Sequence, residues 1–305
     1  MIGKGVIRIN NYDELCASEA IDAIESVAQV EGNLRRAHAM GVAFNATFRP
    51  TGAVIPWTTA AHLQKQDVPA IVRFSHSSPS VDASKRLNPV KGMAVRFELP
   101  EGNYTNLVMA NVPIFISKTP EAFIRLLRSF DKEASTWSER IDALLHDANY
   151  KAFATLLKKL EPLRNFESLH YYAIHAYILV NKDQHKQAVR FEWLPLPLND
   201  SKVEGSSMEN ELINKVEQQK VQFRLLAQLA EPGDPIDDPT KVWPNDRKKI
   251  EAGILTLTSL RSDNAESIVF DPTVTTYGLE CSDDPVLHFR SAAYAESARR
   301  RGVIE

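Results

Sequence analysis

Val42, Phe44, Ala46 and Phe48 alternate with Asn45, Thr47 and Arg49, the period-two pattern of a half-buried strand. Strand-like runs lie at residues 37–49, 69–76, 92–99, 106–117, 170–180 and 187–194, all before residue 195, and a further one lies at 253–259. Such a succession is compatible with hairpins, and closing the sheet on itself removes exposed edges. Helical spacing appears at residues 12–30, where Ala17, Ile21, Ile24 and Ala28 share a face, and at 120–130, 134–160 and 209–230. Residues 195–208 read as a loop from their Pro, Gly, Ser and Asn content. The expectation is an α+β fold, a closed antiparallel barrel with flanking helices, in a single domain over 1–305. Its parts are a helical segment (1–30), the barrel (31–194) and a mainly helical segment (195–305).

Composition narrows the function classes. The net charge is −3 with no basic block, which argues against nucleic acid as a partner. Two cysteines, Cys16 and Cys281, make neither a disulfide framework nor a thiolate metal site. No run of about 18 apolar residues is present, so no membrane span is expected. Residues 1–10 lack the apolar core of a secretory signal, which favours the cytoplasm, or the periplasm if a leader has been removed.

Two segments carry candidate chemistry. The first runs Arg290-Ser-Ala-Ala-Tyr294-Ala-Glu-Ser297-Ala-Arg299-Arg300-Arg301. Asp283 and Asp284 offer an N-cap, Pro285 suits a first turn and Gly302 a C-terminal stop, so positions 290, 294, 297 and 301 fall on one helical face. An arginine one turn from a tyrosine favours the phenolate, a hard anionic ligand for ferric iron. A packed tyrosine with solvated arginines is the plainer alternative. In the second segment, Arg35-Arg36-Ala-His38 leads into the strand at 42–48. His38 shares the parity of the apolar set, so the imidazole is expected to point inward with Val42 and Phe44 unless Gly41 hosts a bulge. His76, His170 and His175 read as structural; the spacing of the last two puts them on opposite strand faces, unsuited to a shared metal.

Together the two segments resemble the catalase superfamily, in its short branch of catalase-related peroxidases. Val72-Arg73-Phe74-Ser75, the run from Gly92 to Phe97, and Pro113-Ile114-Phe115 followed by Pro120 and Phe123 resemble family motifs in the same order. So do Phe270-Asp-Pro272, Gly278-Leu-Glu280 and Asp284-Pro-Val-Leu287 before Arg290. The resemblance covers about residues 30–301 and is weaker in the middle third. It implies an eight-stranded antiparallel barrel with haem b between barrel and helices. Tyr294 would be the proximal ligand, held deprotonated by Arg290, and Arg35, Arg73 and Arg301 would bind the propionates. Phe115, Phe123 and Gly92 would line the haem, His38 would be the distal base and Ser75 would orient it.

One family element departs. Full catalases carry Asn-Asn before the Pro-Ile-Phe run, and the first Asn assists peroxide. Here Ala110 occupies that position and Asn111 aligns with the second, so Asn111 serves as the distal amide only if the backbone shifts. The chain is also shorter than full catalases, from which a more open pocket and a monomer or small homo-oligomer are expected. The leading expectation is a peroxidase that reduces organic peroxides and hydrogen peroxide with an electron donor, retaining weak catalase activity. Alternatives are a true dismutating catalase, a lyase or isomerase of fatty-acid hydroperoxides, and a haem-binding or sensing protein.

Overall fold

The computed structural model describes residues 11–28, 30, 32–77, 90–130, 136, 138, 148–159, 165–198 and 207–304. Among the described residues ten strands form one antiparallel sheet: β1 (Gly41–Pro50), β2 (Val68–His76), β3 (Lys91–Glu98), β4 (Tyr104–Ala110), β5 (Tyr171–Tyr172), β6 (Tyr177–Val180), β7 (Lys186–Pro195), β8 (Gln222–Leu229), β9 (Lys249–Leu260) and β10 (Leu279–Cys281). β1 pairs with both β2 and β9, and β7 pairs with β8, so the ring β1-β2-β3-β4-β5-β7-β8-β9 closes as an eight-stranded barrel. β6 and β10 extend the sheet from β7.

The alternation seen in the sequence sorts side chains between two surfaces. Phe44, Phe48, Phe74, Phe97, Trp193 and Phe223 are buried in the barrel interior. Phe48 meets Phe97 and Trp193 edge-on, with ring centroids 5.1 and 5.9 Å apart. The intervening residues Ala43, Ile71 and Ala94 face outward and pack with Phe270 and Tyr294 in a second apolar cluster.

Among the described residues the helices are α1 (Asn11–Ala28), α2 (Pro120–Phe130), α3 (Ala148–Lys159), α4 (Met208–Gln218) and α5 (Pro285–Arg300). α1 packs on α5 and α2, outside the barrel. Arg300 joins α1 to α5 through Asp22 and Glu25, each at 2.7 Å. No helix among the described residues is long and apolar enough to cross a membrane.

Two expectations need correction. The helix expected over 209–230 ends at Gln218, and β8 follows at once, with residues 223, 225, 227 and 229 buried in strict alternation. The region 195–305 is therefore not mainly helical. It supplies β8 and β9, without which the barrel assigned to 31–194 would stay open. The helix expected over 134–160 is described at 148–159; most of the rest, like most of the loop at 195–208, lies outside the described residues.

A buried histidine gives the barrel a pH dependence. His62 is 3% exposed, stacks on Phe97 at 4.7 Å, and its Nδ1 has no hydrogen-bond partner. Burial pushes its pKa down from 6.5 to about 3. Between those values the unfolded chain binds a proton that the folded chain refuses, so stability falls as pH drops from 6.5 towards 3. By pH 5 the cost is about 2 kcal/mol. Urea unfolding at pH 7.5 and pH 5 should show a smaller acid loss for His62→Phe than for the parent, by about that amount. Equal losses would show that His62 takes up its proton without unfolding.

Candidate active site between barrel and helices

The site lies on the outside of the barrel. A cavity of about 530 Å³, within the usual range for small-molecule sites, runs between the outer face of β2–β4 and helices α1, α2, α3 and α5.

α5 builds one wall. Asp284 caps it, its Oδ1 accepting from the backbone N–H of Val286 at 2.8 Å and of Leu287 at 3.3 Å, and Pro285 follows in the first turn. Gly302, with φ of 70°, stops the helix and donates to Arg299 O at 2.9 Å. Within that frame Arg290 Nη2 donates to Tyr294 Oη at 2.8 Å, as the one-turn spacing requires. Burial disfavours the Arg290 charge, but Tyr294, together with Tyr177 and Asp271, outweighs it and raises the guanidinium pKa above its ordinary value. The second oxygen of Asp284 lies 2.6 Å from His175 Nδ1, with both residues buried. Burial lowers the His175 pKa and Asp284 opposes that fall. His175 thus packs against the capping carboxylate of the tyrosine helix.

β2 and β3 build the facing wall. His38 precedes β1 and has φ of 56°, a left-handed conformation that costs of order 1–3 kcal/mol in a non-glycine residue. The parity expected to send it inward with Val42 and Phe44 therefore does not apply, because the strand begins only at Gly41. The imidazole lies on the outer face, where Nδ1 is 3.0 Å from Ser75 Oγ. Gly92 makes room for this pair. A Cβ there would come within 2.8 Å of Ser75 Oγ and 2.9 Å of His38 Nδ1. Burial and then Arg73 push the His38 pKa to about 3, so the ring is neutral at ordinary pH.

One end of the cavity is cationic. Arg35, Arg73 and Arg301 all line it and all approach Glu266, at 3.5, 3.4 and 3.9 Å. Burial, then repulsion from Arg35, lowers the pKa of Arg73 and of Arg301 to about 10. Three guanidinium groups thus share one carboxylate. Arg35 Nε and Arg73 Nε are buried without a hydrogen-bond partner. Phe115 and Phe123 also line the cavity, with rings 5.1 Å apart.

Asn111 does not join the site. Its backbone N–H donates to Lys91 O at 3.0 Å, and its Oδ1 accepts from the Lys91 backbone N–H at 2.7 Å. It is absent from the cavity wall, which Ala110 lines instead. With its Oδ1 turned to the Lys91 backbone, Asn111 does not line the cavity, against the expectation that it would serve as the distal amide. The sequence reading also missed Glu266, the His175–Asp284 pair and the contribution of Ile21 and Ile24 to the wall. Glu266 and the His175–Asp284 pair become visible only through contacts between distant residues. The two isoleucines were visible as an apolar helix face, but not what that face covers.

A sequence profile of the catalase family matches residues 18–304. The chain belongs to the catalase family. It is 30% identical over 302 residues to a catalase-related peroxidase of Mycolicibacterium paratuberculosis, covering 95% of this chain and 96% of that one. It is 28% identical to a catalase-related peroxidase of Synechococcus elongatus, covering 93% and 88%. It is 26% identical to catalase isozyme B of Oryza sativa, of which it spans 63% while covering 91% of its own length. Membership makes the chain a haem peroxidase-type oxidoreductase. The cavity fits that group on its own evidence: unpartnered guanidinium donors and excess positive charge suit two carboxylates at one end, and a phenol beside a guanidinium suits ferric iron.

Proposed function

We propose that this protein is a haem b peroxidase that reduces organic peroxides and hydrogen peroxide with an external electron donor and releases little oxygen. The observation that carries this reading is Ala110 on the cavity wall with Asn111 turned to Lys91. The names of the two bacterial relatives support it.

Tyr294 would hold the iron and Arg35, Arg73 and Arg301 the propionates. The bound haem supplies the electrons and the Lewis acidity for cleaving the peroxide oxygen–oxygen bond. His38, neutral and held at Nδ1 by Ser75, takes a proton from the peroxide at Nε2 and returns it to the departing oxygen, which leaves as an alcohol or water. Arg290 keeps its own positive charge beside the Tyr294 oxygen, to which it donates a hydrogen bond. Dismutation requires a second peroxide to be captured and oriented, a task for which Ala110 offers no hydrogen bond. Oxidation of a donor has no such requirement.

The test is the ratio of oxygen release to donor oxidation at matched peroxide. A low ratio is expected, and Ala110→Asn should raise it. A ratio like that of a dismutating catalase would overturn the reading, and product formation from an organic hydroperoxide without any donor would favour a lyase or isomerase. The protonation state of His38 adds a second expectation. Peroxide consumption should show no inflection near pH 6.5 between pH 5 and 9, because the ring stays neutral down to about pH 3. An inflection there that vanishes in His38→Ala would show that His38 titrates normally.

A further inference from the structure

The left-handed backbone at His38 needs something to hold it. Ser75 holds the ring at Nδ1, and the backbone is held by a different side chain. Arg73 Nη1 donates to His38 O at 2.9 Å, and Arg73 Nη2 donates to Ala39 O at 2.9 Å. Arg73 and Ser75 stand two residues apart on β2, so both leave the barrel on the same face. β2 thereby grips His38 twice, through its main chain and through its imidazole. Arg73 is 3% exposed; its bond to Ala39 O is buried, its bond to His38 O half-buried, and both are charge-assisted. The planar guanidinium spans two adjacent carbonyls, which a lysine ammonium cannot do with the same geometry. The same side chain approaches Glu266 at the cationic end and lines the cavity.

We propose that Arg73 is a positioning residue for His38. Its two bonds fix the turn that aims the imidazole into the cavity, a task separate from neutralising carboxylates at the cationic end. The proposal rests on His38 being the base in the reading above. If Arg73 served only as a counter-charge, another cation at position 73 would do as well.

Two substitutions pull the roles apart. Arg73→Lys keeps the charge and loses the two-point grip. Arg73→Gln loses the charge and, two bonds shorter than the Nη atoms, both carbonyl bonds as well. With cofactor saturating, Arg73→Lys should lower kcat/KM for peroxide by about 10- to 100-fold, the scale of an ångström-level misplacement. In a His38→Ala background the same substitution should change the rate less than about twofold, because the group it acts through is gone. Arg73→Gln should lose at least as much of the saturated rate as Arg73→Lys and should also lose cofactor affinity. Equal losses from Arg73→Lys in both backgrounds would overturn the proposal and leave Arg73 as a counter-charge alone.

A second readout uses the cofactor-free protein. In ¹⁵N-histidine spectra the His38 Nδ1 signal should carry the shift of a hydrogen-bonded nitrogen in the parent, and should move or broaden in Arg73→Lys. An unchanged His38 signal would overturn the proposal, whatever the kinetics. If His38→Ala alone retains the parent rate, it is the reading of His38 as base that fails, and the spectra still decide whether Arg73 holds it. Should Arg73→Lys fail to fold, Arg73→Gln in both backgrounds and in the spectra replaces it; a loss confined to the His38 background with a moved or broadened signal supports the proposal, and equal losses or an unchanged signal overturn it.

Discussion

Replacing His38 with alanine should lower peroxide consumption by about 10²–10⁴-fold, the usual contribution of general acid–base catalysis, while haem content stays near that of the parent. The separation of the two effects follows from geometry. His38 is held by Ser75 and Arg73 on the barrel side, whereas Tyr294 stands on α5. Deleting the imidazole removes a proton acceptor without touching the cationic end or the phenol. Relief of the left-handed strain at position 38 is not expected, because alanine has the same preference against it. Stopped-flow peroxide consumption with haem quantified on the same sample checks this. An unchanged rate would reduce His38 to a packing residue.

Tyr294→Phe should cost the protein its haem. Phenylalanine keeps the ring packed beside Ala43, Ile71 and Phe270 but removes the phenol oxygen, so fold and cavity should persist without that ligand for iron. The loss of cofactor retention should exceed the roughly 10–100-fold that removing an outer partner of a metal ligand causes. Arg290→Gln, which removes such a partner, should fall within that range. The check is the rate of haem transfer to an excess of a competing apoprotein, with circular dichroism to show that the barrel is intact. Full haem retention by Tyr294→Phe would remove Tyr294 from the role of ligand.

The parts of this fold legible in the sequence are those fixed by short-range periodicity. β1, β2, β3 and β7 fall where alternation places them, and α5 carries its cap, first-turn proline and stop glycine in order. β8 had an equally regular signal at 221–229, but it follows α4 after a short connection, and an apolar run extending a helix reads as more helix. The direction of His38 was misread because strand parity carries no information before the strand begins. Tyr294 and Arg290 were picked out by their spacing along one helix, whereas Arg73 and Ser75 were picked out only through the resemblance to catalase motifs. Glu266 was missed because its significance lies in meeting Arg35, 231 positions away, across the closed barrel; no pattern local to Asn264-Ala265-Glu266 marks it. Asn111 shows the converse, a residue suggested by its neighbours in sequence and turned from the cavity by its bond to the Lys91 backbone, one position past the end of β4.

The order in which the two walls occur along the chain bears on biosynthesis. His38, Arg73 and Ser75 leave the ribosome early, and β9, the last strand of the ring, is complete at residue 260. Tyr294 comes 256 positions after His38, a delay of roughly 10–50 s at common elongation speeds of 5–20 residues per second. With Tyr294 as the iron ligand, the wall that carries His38 would stand through that interval with its partner still unmade, and haem retention would be a late event, completed when the tyrosine helix docks.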